Sequence, residues 1–452
     1  MAMASAARRI PRVAATSFRA AVVASRTLST ASASGSTESA SFGTGATLAA
    51  AGLAAAGLAA TVPIAEAEPS TTDLSIIGIA DLLGIAHDGS ADAAARGIAG
   101  ILGEKELNIL GVADMLGVKH GGNADAAAAG LADVLGVEVF DEAALTKISS
   151  IKKSHPDNLA IKNFDEAYYK GMTNGERSAF LSIVRSGIEN EDSGMGCYAM
   201  QPADYDRFKP FFSKVLSQYH KVSEDAKHTT NWNLAGVKGL PADGKLDLAK
   251  LGLPPLSMRV RVGRNLADFP LPGAMSQQDR VNMEAKMCKA FDKLKAMPEY
   301  GGRYHSLTPG HPDFIDDAKY NELVKAHIMF KDMAADTYLA TAGIASDWPY
   351  GRGCYVSGDK KFIVWVGEED HLRIMCMFKG TVLNDVFDRL HNALDVIDGM
   401  PGLSFARSAD YGYVTSCPTN LGTGMRASVH IPLPNLTSDG TDAKAKKICK
   451  PL

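Results

Sequence analysis

Cys417-Pro418-Thr419-Asn420-Leu421-Gly422-Thr423-Gly424-Met425-Arg426 joins two runs that read as strands. Tyr411 to Ser416 leads in. Ala427 to Leu433 leads out, with Ala427, Val429 and Ile431 alternating against Arg426, Ser428 and His430. A period of two puts these sets on opposite faces of one strand. The glycines permit a tight path around a ligand. A cysteine at one end and an arginine at the other give the pocket two chemical poles. Taken alone, the stretch also reads as a Gly-rich loop with a buried cysteine and a surface arginine.

Two further stretches repeat the pattern. In Leu256 to Arg264, Met258, Val260 and Val262 point one way and Ser257, Arg259 and Arg261 the other. Two arginines on one strand face repel each other unless an anion lies between them. Lys361 to Met375 reads as an apolar strand, an acidic turn (Gly367-Glu368-Glu369-Asp370) and a second strand carrying His371 and Arg373. A sheet built from these segments has an apolar side for helices and a guanidinium-lined side. Planar guanidinium forks suit phosphate oxygens.

These motifs, in this spacing, resemble the phosphagen (ATP:guanidino) kinases, from about Leu145 to Pro434. The resemblance is strongest to arginine kinase. It implies an α+β fold: a small all-α N-terminal domain, then a larger domain with an antiparallel β-sheet flanked by helices. It also implies reversible transfer of the ATP γ-phosphoryl group to a guanidino acceptor. Arg259, Arg261, Arg373 and Arg426 would grip the phosphates of ATP or ADP, with Ser257 and His430 nearby. Mg²⁺ would be held by phosphates and water, with no protein ligand. Glu369 would orient the acceptor guanidinium. Cys417, as a thiolate supported by the Thr419 hydroxyl, would sit by another guanidinium nitrogen. A thiolate needs cationic neighbours, which acceptor and arginines would supply. Glu368, Asp370 and His371 would hold the turn. Arg185 to Ala199, with Ser193-Gly194-Met195-Gly196-Cys197-Tyr198 at its end, resembles the family's guanidino-specificity loop. Its shortness goes with larger acceptors such as arginine, with Gly194 and Gly196 bringing amides to a substrate carboxylate and Tyr198 adding a hydroxyl.

The rest of the chain bounds this reading. Its 452 residues, 46% of them hydrophobic, suffice for two or three domains. A net charge of −4 argues against nucleic acid and against bulk attraction to anionic membranes. The six cysteines are scattered, with no Cys-x-x-Cys pair, which argues against a zinc site or a disulfide framework. No Gly-x4-Gly-Lys-[Ser/Thr] phosphate loop is present.

Residues 1–45 carry Arg8, Arg9, Arg12, Arg19 and Arg26 before the first acid, Glu38, the pattern of a mitochondrial presequence. Residues 46–70 hold a weakly hydrophobic Ala/Gly-rich run, marginal as a membrane span and suggestive of sorting to the intermembrane space or of anchoring. Residues 71–144 contain a repeat in which His87 aligns with His120 and Asp92 with Asp125, 33 residues apart. Each unit reads as two short helices. This helical extension could associate with a mitochondrial membrane or complex through residues 46–144, and its histidines read as loop residues. Residues 145–243 read as the helical N-terminal domain and 244–452 as the catalytic domain. In the latter, Ser276–Met297, residues 315–335 and Asn384–Ile397 read as helices.

Two departures from the family pattern stand out. Val356 occupies the place of a histidine near the nucleotide base and ribose. Family members also continue past the point where this sequence stops, into a segment with one more phosphate arginine and a second guanidinium-binding carboxylate. These departures favour the alternative, a catalytically impaired homologue serving as a structural or binding subunit of a mitochondrial assembly.

Overall fold

The structure, a computed structural model, describes residues 140–450 apart from 239, together with 109–115, 118–121, 126–127 and 130. The expected presequence, the 46–70 segment and most of the repeat extension lie outside the described residues. In chain order the first helices are α1 (Ile109–Met115), α2 (Glu142–Ser154), α3 (Leu159–Lys162), α4 (Glu166–Lys170), α5 (Asn174–Glu189), α6 (Asp204–Arg207) and α7 (Lys209–His220). Strands then alternate with helices: β1 (Leu256–Arg264), α8 (Gln277–Lys295), β2 (Gly302–Ser306), α9 (Asp317–Lys325), α10 (Thr337–Thr341), β3 (Gly353–Ser357), β4 (Phe362–Val366) and β5 (Leu372–Gly380). The order closes with α11 (Leu383–Asp398), β6 (Arg407–Ser408), β7 (Gly412–Tyr413), β8 (Met425–His430) and α12 (Ala443–Cys449).

Among the described residues, one compact unit takes in those up to Ser150 together with 165–182. Asp165 starts α4 by accepting from the amides of Ala167 and Tyr168, which satisfies donors the first turn leaves free. Arg177 lies 4.4 Å over the Phe140 ring. His120, read as a loop residue, pairs with Asp114 at 2.9 Å.

The second unit comprises residues 151–164 and 183–452. Its six-stranded sheet has the order β2-β3-β4-β5-β1-β8, every neighbouring pair antiparallel. One face carries Met258, Val260, Val262, Tyr355, Phe362, Val364, Ile374 and Cys376, all buried. They form one core with Met283, Met287, Phe291 and Leu294 of α8 and Val386, Leu390, Leu394 and Ile397 of α11. Both helical stripes recur every three to four residues, the spacing that keeps one face on the sheet. Ser276 and Asp279 close a reciprocal capping box at the start of α8.

Two expectations about elements change. The helix expected over 315–335 stops at Lys325, because His327 adopts a left-handed φ of 57° that an α-helix does not continue through. The run Tyr411–Ser416 is strand only at Gly412–Tyr413. Beyond it, Val414 donates to Ala406 O, and Ser416 O accepts from Ala199.

Candidate active site

Register decides which side chains share the other sheet face. Arg261 stands opposite Met375 on β5 and Arg426 on β8. Arg259 stands opposite Met377 and Ser428, and Ser257 opposite His430. Arg373 stands opposite Gly263. Directly paired residues of antiparallel strands project to one side. Arg259, Arg261, Arg373 and Arg426, with Ser257 and His430, therefore line one floor. Arg261 faces Arg426 with no carboxylate paired to either among the described residues. Burial, then Arg373 and Arg259, pull the Arg261 guanidinium down to about 10. Burial, then Arg426 and Arg373, lower Arg259 likewise. Glu368 offsets part of this for Arg261, and the remaining repulsion among the cations would be relieved by a bound anion.

The floor is not guanidinium-lined throughout. Toward β3 and β4 the same face carries Cys354, Val356, Ile363 and Met375, buried against Leu323, Ile328, Met329, Phe330 and Met333. Val356 is a member of this apolar cluster and only 7% exposed.

Beside the floor stands an acidic wall, the turn between β4 and β5. Arg373 Nη1 donates to Glu368 Oε1 at 2.8 Å, and Nη2 to Glu369 Oε2 at 3.2 Å. Arg373 was expected to serve phosphate; in this structure two acids hold it. Glu368, read as a turn holder, shares that role. Asp370 and His371 do organise the turn. Asp370 Oδ1 accepts from Ser416 N and from Asn265 Nδ2, each at 2.7 Å. His371 Nδ1 accepts from Leu266 N at 3.0 Å. Two carboxylates thus share one arginine, and a third, Asp370, lies in the same turn. Burial first, then the Asp370 charge, pushes the Glu369 carboxyl up, against the pull of Arg373.

Cys417 is 5% exposed and ends the strand-like run that Asp370 holds through Ser416. Its sulfur accepts from Thr419 Oγ1 at 3.1 Å, and Glu369 is its strongest acidic influence. Burial, then the Glu369 charge, pushes the thiol up to about 12. Its charged neighbours are acids, which favour the thiol form, whereas the expected thiolate relies on an acceptor guanidinium alongside. Glu369 and Cys417, far apart in sequence, are brought side by side.

The loop 193–198 is a packed turn. Gly196 donates its amide to Ser193 Oγ at 2.9 Å, so that amide is not offered to an acceptor as expected. Gly196 has a φ of 73°, and a Cβ there would press on Asn158 and on Gly187 Cα. Only glycine fits this close approach. The amides of Gly194 and Met195 bond no protein acceptor among the described residues, and a Cβ on Gly194 would meet nothing within 4 Å. Cys197 is 0% exposed, its sulfur 3.8 Å from Met195 Sδ. Its side chain cannot meet a substrate as expected. Tyr198 lies against the site: burial, then Cys417 and Glu369, raises its phenol. Sequence reading missed Asn265 and the partners of Glu368 and Asp370; no local periodicity marks them.

A floor on which Arg259, Arg261 and Arg426 have no paired carboxylate among the described residues, beside a wall with surplus acid, suits transfer between a polyanion and a cationic acceptor. The ATP:guanido phosphotransferase N-terminal domain matches residues 159–217, and the C-terminal catalytic domain of the same family matches residues 282–452. An arginine kinase of Polybetes pythagoricus is 34% identical over 316 residues, 68% of this chain and 83% of that protein. An arginine kinase of Anthopleura japonica is 35% identical over 287 residues, 63% of this chain but 38% of that protein. The duplicated taurocyamine kinase of Schistosoma mansoni with bound transition state analog components superposes with a TM-score of 0.56 at 30% identity, over 73% of this chain and 46% of that chain.

The chain belongs to the ATP:guanidino phosphotransferase family, the phosphagen kinases. Its helical N-terminal part and its antiparallel sheet with flanking helices are that family's architecture.

Proposed function

We propose that this protein reversibly transfers the γ-phosphoryl group of ATP to a guanidino nitrogen of arginine. The opposition of Arg261 and Arg426 without an intervening carboxylate carries the reading, since two cations held face to face are relieved by a phosphate between them. Arg259 extends the cradle. The arginines stabilise charge that builds on the transferring group. Mg²⁺, for which the holders would be phosphate oxygens and water and no residue of this chain, would supply further neutralising charge. The guanidinium meets Glu369, where a carboxylate can make a bidentate pair and aim one nitrogen in line. Guanidinium entry also supplies the cation that Cys417 lacks, drawing its thiol toward thiolate. The arginine kinase relatives and the compact 193–198 loop support arginine over smaller acceptors.

A coupled ATP/ADP assay with arginine, creatine and taurocyamine, paired with nucleotide calorimetry, tests this. Turnover fastest with arginine, and lost on Glu369→Gln, supports it. Nucleotide heat with no turnover on any guanidino compound overturns it. Absence of both turnover and heat favours the binding-subunit reading, to which burial of Val356 in an apolar cluster lends its one support. Residues 1–45 address the chain to a mitochondrion in this proposal, and residues 46–144 are its contact with a membrane or complex. Import of a fusion carrying residues 1–45 into isolated mitochondria, with loss on replacing its arginines, tests the address.

A further inference from the structure

Two loops remote in sequence must bring Glu369 and Cys417 together, and one carboxylate lies behind both. Asp370 is 1% exposed. Its Oδ1 accepts from Ser416 N, next to Cys417, and from Asn265 Nδ2, each at 2.7 Å. Asn265 completes the tie: its Oδ1 accepts from His371 N at 2.8 Å, and its Nδ2 also donates to Val414 O at 3.1 Å. One amide side chain at the end of β1 thus joins both strands. Space is made for the carboxylate by Gly263, where a Cβ would lie 2.7 Å from Asp370 Oδ2. That oxygen has no hydrogen-bond partner among the described residues. A buried carboxylate with one oxygen doubly bonded and the other unpaired is expensive to keep for packing alone.

We infer that Asp370 is a positioning residue, which through Ser416 and Asn265 sets the spacing of Glu369 and Cys417 and whose negative charge biases that pair toward a cationic acceptor. The inference rests on the phosphotransferase reading of the site. The charged and titratable groups around Asp370 are Glu368, Glu369, His371 and Arg373 of its own turn, Cys417, and Tyr205 of α6. His371 is buried and held low, to about 4, mainly by burial, so it stays neutral. Arg373 is already shared by Glu368 and Glu369. Burial raises the Asp370 carboxyl, the donors from Ser416 and Asn265 favour its charged form, and that charge acts on Glu369 and Cys417.

Two variants separate geometry from charge. Asp370→Asn keeps an oxygen where Ser416 and Asn265 donate but removes the charge; Asp370→Ala removes both. Labelling of Cys417 by a thiol reagent, resolved by peptide mass spectrometry between pH 7 and 10, reads the pair without requiring activity. Asp370→Asn is expected to raise Cys417 labelling about tenfold at fixed pH, the effect of lowering a thiol by one unit. Its melting temperature should stay close to the parent's. Asp370→Ala is expected to weaken acceptor KM and kcat together by about 100-fold, the order of effect for a misplaced reacting group, while nucleotide affinity holds. Unchanged labelling in Asp370→Asn, or unchanged acceptor kinetics in a folded Asp370→Ala, overturns the inference. If the parent turns over no guanidino compound, the phosphotransferase reading fails, and the labelling profiles still decide whether Asp370 governs the pair. If Asp370→Ala does not fold, Asn265→Ala, which removes the Asn265 link and leaves Ser416 N on Asp370, takes its place with the same expected kinetics.

Discussion

Arg373 and Glu369 hold each other at 3.2 Å, Nη2 to Oε2, while Glu368 takes the other guanidinium nitrogen at 2.8 Å. Both partners are more than four-fifths buried, so this pair is not a screened surface contact. Under the proposed function, the arginine meant for phosphate and the acid meant for the acceptor neutralise each other in this structure. In the proposed reaction, nucleotide phosphate would draw on Arg373 and acceptor guanidinium on Glu369, so each ligand would free the partner the other needs.

Replacing Glu369 tests this exchange. Glu369→Gln is expected to lower kcat by roughly 100- to 1,000-fold, as for loss of one preorganised charged contact. Arg373 loses a competitor, so nucleotide affinity holds or rises. Steady-state kinetics beside calorimetry measures both, and a large loss of nucleotide affinity would contradict the pairing.

The facing arginines give a second test with opposite signs for stability and binding. Arg426→Met removes a like charge opposite Arg261 and should raise ligand-free stability by about 0.2–1 kcal/mol. Nucleotide affinity should fall by roughly 10- to 100-fold, the weight of one charge-assisted hydrogen bond. Thermal melts with and without ADP would show the curves crossing.

Acid–base linkage at Glu369 has a definite sign. Its folded value is pushed up to about 7 from an ordinary 4.5, by burial and then by Asp370. The folded state therefore binds this proton more tightly than the unfolded chain. Stability from it is fully present below about 4.5 and is lost as pH rises through about 7. Melting temperature should decline between pH 5 and 8, and Glu369→Gln should flatten the decline. Acceptor binding needs the carboxylate, so near neutral pH it should release a proton, read as a dependence of calorimetric heat on buffer ionisation enthalpy.

The specificity loop gives a stability test. Gly196→Ala places a side chain at a φ of 73° against Asn158 and Gly187. A cost of about 1–3 kcal/mol follows from strain at such a position. Gly194→Ala meets open space and should change stability little. Equal melting temperatures for the two variants would mean the loop is not packed as described.

Much of the floor was legible before folding was considered. Alternation in β1, β5 and β8 puts Arg259, Arg261, Arg373 and Arg426 on one face whatever packs on the other. The boundaries of α8 and α11 were legible for a similar reason, since a capping serine and an apolar stripe are local signals. The partners were not. Nothing near Val356 says that segment 323–333 folds over it, and nothing near Cys417 says its charged neighbours are acids. His327 ends a helix by a backbone conformation its own sequence does not announce.

What the sequence by itself determined was the set of side chains on each strand face, because side-chain direction along an extended chain depends only on counting residues. Only tertiary structure decided which of those charges stand alone. Arg261 and Arg426 remain without a carboxylate, Arg373 is held by Glu368 and Glu369, and Cys417 is a thiol. These outcomes turn on burial and on contacts such as Asp370 with Ser416, 46 residues away, and with Asn265, 105 away. A charge's state is set by everything around it in space, and that neighbourhood exists only once the chain has folded.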